Sequence, residues 1–218
     1  MFSRFSITKQ KVVIMQYNSY RYLWPPRPET KVPRGALTFY EGRKWVAQKK
    51  KNGTCTVIFT NGEQVIFKTR HDDDHKMWQP QLEHIEFFRQ NGGENDTWNV
   101  YVGELLHNKT QHIKNHLYLF DQVVHDGEQL VNMTFGQRHQ LLRRLGGEFN
   151  DDCYMISPIV SIAHCFTTGF VKLFDTLKAE DEGIVLKDPN ALLKPCYKGD
   201  SNAGWQVKSR LPHKNYSY

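Results

Sequence analysis

The sequence predicts an α+β domain of mainly antiparallel sheets flanked by helices. Three observations carry this expectation. Short runs of alternating apolar residues recur, many in adjacent pairs separated by turn residues. Three segments carry apolar residues at helical spacing instead. No internal repeat, low-complexity tract or linker divides the chain, so its 218 residues read as one domain, 1–218, with 1–33 an N-terminal strand and wrapping segment.

The first segment is basic and aromatic. Lys11–Tyr17 reads as a strand. Residues 18–33 hold Trp24, Pro25, Pro26, Pro28 and Pro33, which suit an extended wrap and oppose a helix. Arg4, Arg21, Arg27, Phe2, Phe5, Tyr20 and Trp24 interleave charge with rings, and either a packed loop or a nucleic-acid surface accounts for them. Ala36–Tyr40 and Lys44–Gln48 read as short strands. Thr54–Thr60 and Gln64–Thr69 then flank Asn61–Gly62, a strong local hairpin signal.

His71-Asp72-Asp73-Asp74-His75 follows. Adjacent carboxylates diverge, so this stretch reads as a solvated loop before a metal site. Pro80–Gln90 has Leu82, Ile85 and Phe88 on one helical face and is closed by Asn91-Gly92-Gly93. Trp98–Leu106 and Leu117–Val124 return to strand character. Met133–Gly146 reads as a helix capped by Thr134 and stopped by Gly146-Gly147. Tyr154–Ala163 is apolar and β-like. Thr168–Lys178 is a core-facing helix through Phe170, Val171, Phe174 and Leu177. Gly183–Leu186 and Trp205–Val207 are short final strands.

Composition narrows the class. A 39% hydrophobic content fits a folded domain, and the net charge of +6 permits a nucleic-acid partner without requiring one. Cys55, Cys153, Cys165 and Cys196 form no CxxC pair, which disfavours a zinc knuckle or redox motif and makes free thiols the simplest reading. The N-terminus lacks the apolar run of a secretory signal, and no apolar run approaches the ~20 residues that span a bilayer. A reducing, cytoplasmic location and no membrane partner are expected, so the five N-x-[ST] triplets carry no meaning.

The chemistry gathers around Lys50-Lys51-Asn52-Gly53. The sequence places Lys50 at the mouth of the hairpin, its amine facing a cleft while Gly53 lets backbone approach a ligand. The fold-back brings Arg70 to the same end, and two converging cations suit a polyphosphate. Further on come Glu104 after Gly103, Phe120 beside Asp121, Glu182 and Lys187 at the ends of a short apolar strand, and Lys208 and Arg210 near the C-terminus. Each alone also reads as an ordinary strand-edge charge, core ring or basic tail.

Taken in order, Lys50-Lys51-Asn52-Gly53, Arg70, Gly103-Glu104-Leu105, Phe120-Asp121, Glu182-Gly183-Ile184-Val185-Leu186-Lys187 and the Lys208 region resemble the six motifs of the covalent nucleotidyltransferases. That superfamily comprises ATP-dependent DNA ligases, RNA ligases and mRNA-capping guanylyltransferases. The resemblance spans roughly residues 45–210, and the Glu182–Lys187 motif is its most specific piece. It departs from the pattern at Asn52, where the family has Asp, and in its last motif, where Gln206 or Arg210 pairs with Lys208.

The resemblance implies a nucleotidyltransferase (ATP-grasp-like) adenylation domain. Lys50 would attack the α-phosphorus of ATP, expel pyrophosphate and form lysyl–AMP. A lysine crowded by cations gives up its proton more readily. Glu104 would accept from the ribose hydroxyls and Phe120 would stack on adenine. Arg70, Lys187 and Lys208 would hold phosphate oxygens. Glu182 would hold Mg²⁺ (or Mn²⁺), a cation content with few carboxylates.

Cys55 stands where DNA ligases of the superfamily carry an arginine, so the resemblance is closest to RNA ligases. The expected partner is a nucleic acid with 5′-phosphate and 3′-hydroxyl ends, RNA favoured. The chain ends eight residues after Arg210, leaving no room for an OB-fold domain. A partner protein or domain in its place is therefore an expectation. A DNA ligase core and a non-catalytic nucleic-acid-binding module are the alternatives.

Overall fold

The computed structural model describes residues 26–94, 97–195 and 204–212. The expected strand Lys11–Tyr17 lies outside them, as do Cys196 and most of the basic N-terminal segment.

In chain order the strands are β1 (Thr30–Lys31), β2 (Val46–Lys51), β3 (Thr54–Thr60), β4 (Val65–Thr69), β5 (Asn99–Leu106), β6 (His116–His125), β7 (Glu128–Gln129), β8 (Glu148–Phe149), β9 (Cys153–Ser157), β10 (Val160–Ala163), β11 (Asp181–Lys187) and β12 (Gln206–Arg210). The helices are α1 (Leu37–Glu41), α2 (Leu82–Gln90), α3 (Phe135–Leu142) and α4 (Phe170–Asp175). The strands form two sheets. One has four strands in the order β1-β12-β11-β2, and the other runs β4-β3-β5-β6-β10-β9-β8 with β7 paired to β6. Pairing is antiparallel except for β1–β12 and β10–β6. The α+β architecture of mainly antiparallel sheets is as the sequence predicts.

The hairpin forms where expected, with Thr60 opposite Val65. Asn61 accepts the amides of Glu63 and Gln64 through Oδ1, and Gly62 takes φ +85°. Its first strand belongs to the larger sheet, however, whereas β2 belongs to the smaller one. The chain crosses between layers at Asn52-Gly53. Gly53 is required there, because a Cβ would lie 2.4 Å from the Leu105 carbonyl oxygen.

Two elements differ from expectation. Ala36–Tyr40 is not a strand: after a 3₁₀ turn at Arg34–Ala36 the chain forms α1. Leu37 and Tyr40, three apart, both face the core shared with α4, a spacing only a helix satisfies. Glu41 then accepts the Gly169 and Phe170 amides, satisfying orphan donors at the start of α4. The β-like stretch Tyr154–Ala163 is two strands, β9 and β10, which fold back on each other. The helices at α2, α3 and α4 form as expected. Thr134 and Gln137 cap α3 reciprocally at 2.9 and 3.2 Å.

Two cores cover the larger sheet. One packs Phe88 of α2 and Trp78 against Ile58, Leu117 and Ile162; the other gathers Val57, Trp98, Val102 and Val123. A third core packs α1 and α4 on the smaller sheet through Leu37, Ala47, Phe170 and Ile184. The surfaces left between the sheets line the cavity described next.

Candidate active site

Both sheets contribute side chains to one cavity with two adjoining lobes. The outer lobe is about 850 Å³ and is lined by Lys50, Arg70, Glu104, Glu182, Lys208 and Arg210 among others. The inner lobe is about 100 Å³ and is lined by Gln48, Phe120, Val185, Lys187 and Gln206, and shares Lys50, Cys55, Arg70 and Glu104 with the outer one. All seven residues singled out in the sequence therefore meet at one place. Lys50, Glu182, Lys187 and Lys208 come from the smaller sheet. Glu104 and Phe120 come from the larger, and Arg70 follows β4, its amide bonded to the Cys55 carbonyl.

Lys50 is a strand residue and not, as its position before the hairpin suggests, part of a turn. Its Nζ donates to Glu182 Oε2 at 2.5 Å. Arg210 donates to the same oxygen at 3.1 Å. Glu182 reaches both because β11 bulges there: Asp181 pairs with Lys51 and Gly183 with Lys50, so Glu182 is extra. Gly183 permits the bulge. Its φ is +150°, and a Cβ would sit 1.9 Å from the Ser209 carbonyl oxygen.

Glu104 lies on the opposite wall. Burial pushes its carboxyl up to about 7; Glu182 adds to this, and Lys50, Lys109 and Arg70 oppose it. Gly103 brings β5 close to β6, leaving a Cβ only 3.0 Å from Leu119. Burial also pushes the neighbouring Cys55 thiol up to about 12, which disfavours its thiolate.

Deeper in, the Lys187 ammonium lies 5.1 Å from the Phe120 ring centroid and 4.3 Å from that of Phe135. Burial lowers its pKa to about 8, with Arg138 adding to the effect and Asp121 opposing it. Asp121 itself is locked bidentately by Arg138 at 2.9 Å, so the acid beside Phe120 is a structural partner.

Strand alternation on β12 settles the last motif's geometry. Gln206, Lys208 and Arg210 share one face; Gln206 lines the inner lobe and the two cations line the outer. Lys208 donates to the Pro28 carbonyl at 2.8 Å. Burial lowers its pKa, reinforced by Arg210 and Lys50.

Arg27 and Lys109 also line the cavity and went unremarked as site residues in the sequence. Lys109 donates to the Gly53 carbonyl at 2.6 Å. Neither sits in a motif; only the fold brings them here. The carboxylates of Asp72, Asp73 and Asp74 are exposed, Asp74 pairs with Lys68 at 2.8 Å, and no metal-binding group of three His, Cys, Asp or Glu occurs among the described residues. Among the same residues no helix is long and apolar enough to cross a membrane.

A lysine and a glutamate on neighbouring strands floor a cation-rich cavity between the two sheets. The chain has the fold of a ligase domain. It superposes on the ligase domain of LigD from M. tuberculosis with a TM-score of 0.58 at 17% identity, over 88% of this chain and 60% of that one. A mycobacterial DNA ligase D complexed with ATP and MES gives 0.59 at 15%, over 88% and 61%. Pmar-Lig_PreS3 gives 0.59 at 13%, over 87% and 47%. The chain thus spans about half to three-fifths of the length of these structures. No family model and no curated protein matches it in sequence.

Proposed function

We propose that this chain is an ATP-dependent polynucleotide ligase domain, acting on RNA, whose covalent intermediate forms at Lys50. The observation that carries the reading is the convergence of seven residues, predicted from motif order alone, on one cavity. Their division between lobes suits a nucleoside triphosphate. The inner lobe, with Phe120 as a ring and Val185 on its wall, takes the base. The outer lobe, with Arg70, Lys208 and Arg210, takes the phosphates.

The uncharged Lys50 amine attacks the α-phosphorus. The N–P bond forms as the bond to the β-phosphate bridging oxygen breaks, pyrophosphate leaves, and the amine's proton passes to solvent. A polynucleotide 5′-phosphate then takes the AMP from Lys50, and a 3′-hydroxyl displaces AMP to close the phosphodiester. Glu104 holds the ribose hydroxyls, Arg70 steadies phosphate oxygens from the outer lobe, and Lys187 reaches the α-phosphate from the inner one.

The donor set suits Mg²⁺ held chiefly by phosphates: Glu182 supplies one carboxylate at the cavity floor, with Glu104 on the facing wall. When bound, the cation neutralises charge developing on the pyrophosphate. RNA is preferred over DNA in this reading because Cys55 replaces the arginine of DNA ligases. A DNA ligase core is the second reading, favoured by the fold shared with LigD.

Labelled ATP with Mg²⁺, followed by denaturing electrophoresis, tests the first step. The native chain should retain label and Lys50→Ala should not; an unlabelled native chain refutes the proposal. Competing RNA and DNA nicks then test the substrate, and preferential sealing of DNA overturns the RNA assignment.

A further inference from the structure

Lys50 stands between two lysines, Lys49 and Lys51, which are only 7% and 6% exposed. Lys51 lines neither lobe of the cavity, and Lys49 borders only the inner one. Their ammonium groups meet two carboxylates. Lys49 pairs with Asp152 and lies 3.9 Å from Asp181; Lys51 lies 2.7 Å from Asp181 and 3.5 Å from Asp152. Asp181 also accepts the Lys178 amide at 3.0 Å. Burial opposes the charge on Lys51, and Asp181 and Asp152 outweigh it, so its pKa is raised.

These four groups connect the walls of the cavity. Lys49 and Lys51 belong to β2, and Asp181 begins β11 directly before the bulged Glu182. Asp152 comes from the turn between β8 and β9 on the other sheet. A buried ionic cluster is a poor source of stability, since apolar replacements are often neutral or stabilising. In some proteins such a cluster fixes one geometry where apolar groups would not. Here the cluster joins the strand bearing Lys50, the strand bearing Glu182 and the sheet bearing Glu104.

We propose that Asp152, acting through Lys49 and Lys51, is a positioning residue for the nucleophile. The inference rests on the ligase reading of Lys50. Asp152 touches no substrate; it holds the strand bearing Lys50.

The test measures the single-turnover rate of AMP transfer to the chain from α-labelled ATP with Mg²⁺. Asp152→Asn should lower that rate by ~10–100-fold, the scale of a 1 Å misplacement, while the ATP concentration giving half-maximal rate changes by less than about 3-fold. Asp152→Glu, which keeps the charge, should stay near the native rate. Lys51→Gln, which removes the ammonium held between Asp152 and Asp181, should lower the rate by a similar factor, and adding Asp152→Asn to it should cost less than the product of the two single losses. A folded Asp152→Asn chain that reacts at the native rate overturns the inference, and so does a folded double variant in which the two losses multiply. If Asp152→Asn does not fold, Lys51→Gln decides alone, and a native rate there overturns the inference. Failure of the native chain to take label removes the ligase reading itself, an outcome distinct from equal labelling of native and variant.

Discussion

Lys50 and Glu182 meet across the β2–β11 seam at 2.5 Å because one extra residue in β11 turns the carboxylate toward the amine. The same carboxylate takes Arg210 at 3.1 Å. Glu182→Ala should leave Lys50 and Arg210 facing each other without their shared anion. We expect AMP transfer to fall at least ~100-fold, consistent with losing an electrostatic contact at a reacting centre. Single-turnover labelling checks this, and a native rate in Glu182→Ala would remove Glu182 from the site.

Gly183 makes that bulge possible. In Gly183→Ala a methyl group would collide with the Ser209 carbonyl, and the backbone would be held at an angle L-residues avoid. Strain alone should cost about 1–3 kcal/mol. Thermal unfolding should show a lower midpoint, and labelling should fall with it, since Glu182 loses its aim.

Glu104 makes stability depend on pH. Its carboxyl titrates near 7 in the fold against 4.5 when unfolded, so the folded chain holds the extra proton between those values. Stability therefore declines as pH rises from about 4.5 to 7, by on the order of 3 kcal/mol, and stays reduced above that. Glu104→Gln should abolish this slope. Denaturant unfolding of both chains at pH 5 and pH 8 checks it: Glu104→Gln gains on the native chain at pH 8 only.

Lys187 behaves in the opposite sense. Its pKa of about 8 lies below the unfolded 10.5, so the folded chain gives up its proton first. Stability rises with pH between 8 and 10.5. A phosphate grip that needs the ammonium should weaken in the same window. The ATP concentration for half-maximal labelling should climb by roughly 10-fold between pH 7 and 9, the loss expected when one ionised group titrates near 8. In Lys187→Met it should be high and flat, and a flat profile in the native chain would refute the assignment.

Salt separates the steps of the proposed reaction. Polynucleotide binding by Lys and Arg releases counterions and should weaken steeply with ionic strength. AMP transfer from ATP inside the cavity should respond less. End-joining and self-labelling measured over one salt series check the difference; parallel slopes would argue against a separate polynucleotide contact.

Much of this site is legible in the sequence because its parts are local. Strand alternation and the Asn61-Gly62 turn need only short windows, and the resemblance of the ordered motifs singles out Lys50, Arg70, Glu104, Phe120, Glu182, Lys187 and Lys208, which line one cavity. Long-range partners are less legible. Nothing in the window around Lys49 and Lys51 shows that they are buried, because their partner Asp152 lies about a hundred residues away. Leu37 and Tyr40 fit a strand until α4 supplies the surface that both must face. Lys109 has no motif at all; its bond to Gly53 exists only once β5 lies beside β3.

The passage of the chain from one sheet to the other at Asn52-Gly53 has a mechanical result. Lys50, Glu182, Lys208 and Arg210 ride on one layer, and Glu104 and Phe120 on the other. A shift of one layer over the other leaves the amine's ion pair intact while changing its distance from the ring and the acid opposite. Because Arg70 follows β4 of the larger sheet and Lys187 lies on β11 of the smaller, the proposed phosphate and nucleoside contacts each draw on both layers, and such a shift would loosen both together.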